Sequence, residues 1–105
     1  AVQYLRKSGY QIVEQNWQIR AGEIDIIAKK ENTLVFVEVR SRHKTKRFGS
    51  AKESIDWRKQ MKIRRTAEHF LSRNHFSDLL VRFDVMAIEH SHEDIKIEHI
   101  PNAFE

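Results

Sequence analysis

A chain of 105 residues, 40% hydrophobic and without cysteine, has room for one hydrophobic core and no second domain. The absence of thiols excludes a disulfide framework and a thiolate zinc site, and fits a reducing, cytoplasmic setting. No apolar run of about 18 residues and no signal-peptide leader is readable, which argues against a membrane span. The expectation is one domain over residues 1–105, truncated at its N-terminus because it opens on Ala1. The formal net charge of +4 is unevenly spread, since residues 40 to 65 hold eleven Lys or Arg against Glu53 and Asp56. Such a segment reads either as a polyanion-binding face or as a solvated helix and loop.

Residues 1–8 predict the end of a helix, with Val2 and Leu5 on one side and Gly9 as its stop. Tyr10 to Trp17 predicts a first strand, interrupted by the polar Glu14-Gln15-Asn16. Glu23–Lys29 and Leu34–Arg40 are the two clearest strands, rich in β-branched residues. Lys30-Glu31-Asn32-Thr33 joins them, with Asn suited to the left-handed conformation of a tight hairpin. Residues 41–49 predict a basic loop, and Ser50 with Glu53 spells a capping box at the start of a long helix reaching Arg73. Its apolar stripe runs Ile55, Ile63, Ala67 and Leu71, with Lys59 in the middle of it. After a loop from Asn74 to Leu79, Leu80–Glu89 and Ile95–Ile100 predict closing strands, with a polar turn between them and Pro101 ending the pattern. The order α-β-β-β-α-β-β, with Leu34 to Val39 apolar on both faces, predicts an α/β fold with a mixed sheet flanked by helices.

Both central strands carry acids where core residues would be expected. Alternation puts Glu23 and Asp25 on one face, and Glu38 and Arg40 on one face of the next strand. If the hairpin centres between Glu31 and Asn32, paired residue numbers sum to 63, so Asp25 opposes Glu38 and Glu23 opposes Arg40. An odd-length loop would shift this register by one. Opposed carboxylates repel unless a cation sits between them, and Mg²⁺ or Mn²⁺ suits oxygen ligands with several waters retained. The alternative without chemistry is a pair of salt bridges, Glu23 with Arg40 and Glu38 with another basic residue.

Gly22-Glu23-Ile24-Asp25-Ile26-Ile27-Ala28, Val35 to Arg42, Phe48-Gly49, Lys59-Gln60 and Arg82-Phe83-Asp84-Val85 together resemble the YraN family of bacterial proteins. That family is similar to Holliday-junction resolvases and belongs by fold to the PD-(D/E)XK restriction-endonuclease-like superfamily. The resemblance spans nearly the whole chain. It implies metal-dependent phosphodiester hydrolysis, with Asp25 as the metal-binding aspartate and Glu38 as the acid of the E-x-K element. Arg40 stands where that element has lysine; an arginine clamps phosphate but stays charged and is a poor base. Lys59, from the helix, is the candidate to take the lysine's place, and its alternative is a side chain snorkelling past the core edge. Gln60 is a candidate contact to substrate or metal-bound water, and Glu23 a supporting acid. The resemblance also implies an acidic residue in the first helix upstream of Ala1, with Glu14 as a lesser substitute.

Arg42, Lys44, Lys46 and Arg47 in the loop, with Lys62 and Arg65 on the helix, are the expected phosphate contacts. Phe48 and Trp57 are candidates for base stacking, with core or partial-surface packing the better expectation for both. Arg82 and Asp84 predict a structural ion pair at the sheet edge, and the six histidines predict surface positions. The expected function is a Mg²⁺- or Mn²⁺-dependent nuclease acting on nucleic acid, DNA rather than RNA, branched or structured. A resolvase-like role favours a homodimer. A nucleic-acid-binding module without catalysis is the second reading, and a protein-interaction domain with an ion-pair network is the third.

Overall fold

A computed structural model describes residues 1–43, 55–74 and 78–104; for residues 42 and 43 it describes the backbone alone. Seven elements follow in order: α1 (Val2–Lys7), β1 (Gln11–Ile19), β2 (Gly22–Lys30), β3 (Thr33–His43), α2 (Trp57–Asn74), β4 (Leu80–His90) and β5 (Ile95–Phe104). The strands form one mixed sheet in the order β1-β2-β3-β4-β5. Only β3 and β4 run parallel, and their ladder extends from Thr33–Leu80 to His43–His90. Parallel neighbours need a long crossover, and α2 lies within it.

The α1 terminus follows from Gly9, whose φ of +91° is open to glycine. Tyr10 N–H donates to Leu5 carbonyl and Gly9 N–H to Arg6 carbonyl, the paired bonds of a Schellman end. Leu5 and Tyr10 both enter the core beneath the helix, with Ile26, Ala28, Val35, Val37 and Met86. On the other side of the sheet, Ile24, Ile27, Leu34 and Phe36 pack against Ala67 and Phe70 of α2. Leu34 to Val37 are thus buried alternately on both faces, as a strand between two layers requires.

The helix α2 is capped by Asp56, whose Oδ1 accepts the Lys59 N–H at 2.9 Å. Ser50 and Glu53 of the expected capping box lie outside the described residues. Ile55 lies ahead of the helix and is buried. Close approach of α2 to β2 depends on Gly22, where a Cβ would stand 2.7 Å from Thr66 Oγ1.

Five expectations need correction. The first strand continues through Glu14-Gln15-Asn16, absorbing them with a register shift between Ile12 and Glu14 and a positive φ at Asn16. In the β2–β3 turn the left-handed residue is Glu31, not Asn32. Pro101 does not end β5, which runs on to Phe104; an edge strand tolerates the missing donor. Asp84 is not at a sheet edge but fully buried on β4, inside a network. Its carboxylate accepts from Arg82 Nε and Nη2 at 2.8 and 2.9 Å and from Asn102 N–H at 2.9 Å. His99 Nε2 lies 2.6 Å away, so His99 is not a free surface histidine. Arg82 also donates to Tyr10 Oη, and these contacts hold its guanidinium even more firmly protonated.

Candidate metal and phosphate site

The hairpin register is the one that the residue sum of 63 requires, from Lys30–Thr33 to Ile26–Val37. Beyond Ile26–Val37 that ladder stops, although both strands continue against their outer neighbours. Asp25 stands at the fork. Its Oδ2 accepts the Val39 N–H at 2.8 Å, so a side chain takes over a backbone partner where the two strands part. Strict alternation also fails there, because Ile24 and Ile27 both join the α2-side core.

Glu23, Asp25, Glu38, Val39 and Arg40 line one cleft of about 310 Å³ in this fork, closed by Lys59, Lys62 and Ile63 of α2. The Lys59 Nζ lies 3.0 Å from Glu38 Oε2, and Arg40 Nη1 lies 4.0 Å from the same oxygen. Lys59 therefore reaches the cleft from the apolar stripe of α2, while its neighbour Lys62 lines the rim. The Glu38 side chain is only 11% exposed. Its pKa is pushed up to about 7 by burial and then by the adjacent Asp25 carboxyl, with Lys59 pulling the other way. Three cations, Arg40, Lys59 and Lys62, line the cleft beside its three acids, yet burial and the Asp25 carboxyl outweigh the pull of Lys59 on Glu38.

The Glu38–Lys59 contact is one half of the salt-bridge alternative. Glu23 for its part accepts a hydrogen bond from Gln18 Nε2. Glu14 is exposed on the edge strand opposite Ile27 and does not line the cleft. Gln60 also stays out of it, its amide donating to the Ile55 carbonyl at the entry to α2. Arg65 lines a neighbouring groove instead. The Arg42 side chain, Lys44, Lys46, Arg47 and Phe48 lie outside the described residues. Trp57 is not in the core, since 70% of its surface is exposed.

Among the described residues, no group of three or more His, Cys, Asp and Glu is placed to hold a metal ion. The pair Asp25–Glu38 alone suits Mg²⁺ or Mn²⁺ in chemistry, since such ions bind through one or two carboxylates and fill the remaining positions with water or phosphate oxygen. The observation that favours this fit is that both carboxylates line the same cleft, with Asp25 Oδ2 already held by the Val39 N–H. Among the described residues, no helix is long and apolar enough to cross a membrane.

The sequence is 47% identical to a UPF0102 protein of Persephonella marina, over all of this chain and 86% of that protein. It is 42% identical to UPF0102 proteins of Alkaliphilus oremlandii and Caldicellulosiruptor saccharolyticus, over 99% of this chain and 90% and 89% of theirs. Residues 1–88 match the uncharacterised protein family UPF0102, the YraN family, and the chain belongs to it.

Proposed function

We propose that this protein is a Mg²⁺- or Mn²⁺-dependent nuclease that hydrolyses phosphodiester bonds in DNA, with branched or otherwise structured DNA as its substrate. The observation that carries the reading is the convergence of Asp25, Glu38 and Lys59, from two strands and a helix, in one polar cleft. Asp25 and Glu38 would hold the ion, which when bound supplies an activated water and polarises the phosphoryl oxygen. The Asp25–Val39 hydrogen bond fixes one carboxylate and so reduces the reorganisation needed to bind. Arg40 and Lys59 supply donors for phosphate oxygens and stabilise negative charge developing on them. Lys59 also holds the Glu38 side chain in the cleft.

Purified protein is expected to cut plasmid or four-way-junction DNA when Mg²⁺ or Mn²⁺ is added, and Asp25→Ala and Glu38→Ala to abolish cutting while leaving DNA binding in place. The second reading, a binding module without catalysis, is favoured by Arg40 at the usual lysine position. It prevails if the protein binds DNA and cuts with neither ion.

A further inference from the structure

Trp57, the first residue of α2, is 70% exposed. Burial of a large apolar side chain stabilises a fold by roughly 1.5–3 kcal/mol, so an aromatic left in water forgoes that gain. Trp57 stands in a groove of about 470 Å³ with Ala21, Arg58, Met61, Lys62 and Arg65. Among the described residues, three cations line this groove and no acid does. Among the described residues, Arg58, Lys62 and Arg65 make no ion pair. Lys62 also lines the carboxylate cleft, so groove and cleft share a wall. An anionic chain held at Lys62 therefore reaches both.

We infer that Trp57 stacks an unpaired base of a nucleic-acid strand whose phosphates are held by Arg58, Lys62 and Arg65. A polyanion that also offers flat π-faces satisfies both halves of the groove, and a single strand is such a ligand. A duplex offers the phosphates but keeps its bases stacked inside. A membrane surface fits less well, because the rest of the exposed face of α2 carries Glu68, His69 and Arg65 and has no apolar stripe to sink. The inference rests on the nucleic-acid reading of the adjoining cleft and narrows it: the strand that enters carries an unstacked base beside the bound phosphate.

The test is fluorescence anisotropy on the full chain with EDTA present, using a labelled oligothymidylate and a blunt duplex of equal length. Trp57→Ala is expected to weaken oligothymidylate binding about tenfold, with Trp57→Phe staying within about threefold of wild type, as base–aromatic stacking requires. Duplex affinity should move less than about twofold for both variants, since phosphate contacts are untouched. An unchanged thermal midpoint shows that the variants fold, as expected at so exposed a position. Equal losses on strand and duplex, no loss with alanine, or a phenylalanine as damaging as alanine would each overturn the inference. So would Trp57-dependent binding to anionic lipid vesicles in place of the oligonucleotide. Trp57-dependent strand binding without cutting by either ion would sink the nuclease reading and leave this one standing. Cutting that ignores Trp57 would do the reverse.

Discussion

At the scale of single residues, Glu38 sits in an environment unusual for a glutamate. Folding raises its pKa from 4.5 to about 7, so between those values the folded chain binds more protons than the unfolded one. The stability contributed by the protonated carboxyl is complete below about pH 4.5 and is lost as pH rises through about 7. Without metal, Glu38→Gln should therefore gain on wild type above pH 7, by at most about 3 kcal/mol, and lose that advantage near pH 4. Urea melts at several pH values check this, and a difference independent of pH contradicts it. Asp84 is a fully buried acid whose carboxylate accepts from Arg82 and the Asn102 amide and lies against His99. Asp84→Ala strands Arg82 and the Asn102 amide and should cost roughly 3–5 kcal/mol, read as a lower urea midpoint. The Asp25–Glu38 neighbourhood was legible only in part: the two-residue turn fixes the register as far as Ile26–Val37, but the ladder ends there, so the expected Asp25–Glu38 and Glu23–Arg40 pairs are not formed across it. The Asp84 hub was not legible, because His99 and Asn102, which contact Asp84, and Tyr10, which contacts Arg82, come from distant segments that no local period links.

At the scale of elements, the site owes its opening to two strands that part while each stays paired on its outer side. A helix that approaches closely from one face completes it. The approach requires Gly22, and Gly22→Ala should destabilise the fold by about 1–3 kcal/mol through the clash with Thr66 Oγ1. Adding Thr66→Ala removes that atom, so the double variant should recover part of the loss; a strictly additive result contradicts the contact. Asp56→Ala removes the α2 cap and should cost about 1 kcal/mol by the same measurement. The long helix and the two central strands were readable because their periods are strong and long. The extension of β5 beyond Pro101 was hidden because proline normally breaks a ladder, and only an edge position excuses it. The Asp56 cap was masked by a better textual match at Ser50 and Glu53 upstream.

At the scale of the whole molecule, the described cations Arg40, Lys59 and Lys62 share one cleft with Glu23, Asp25 and Glu38, and Arg58 and Arg65 line the groove beside it. A surface of this kind binds polyanions by counterion release, so DNA affinity should fall linearly on a log–log scale as salt rises, with a gentler slope in Arg65→Ala. An affinity indifferent to salt contradicts the reading of that charge. The same layout explains why the basic segment and the carboxylates are read together: α2 carries Lys59 into the cleft and Lys62 along its rim. The central claim is that Asp25 and Glu38 together hold a divalent ion, and calorimetric titration of Mn²⁺ into the DNA-free protein tests it most directly. About one ion per chain should bind, more tightly at pH 8 than at pH 6 because Glu38 must lose its proton, and Asp25→Asn or Glu38→Gln should abolish the heat. Mn²⁺ binding that survives both substitutions, or no binding by the wild type at either pH, contradicts the claim.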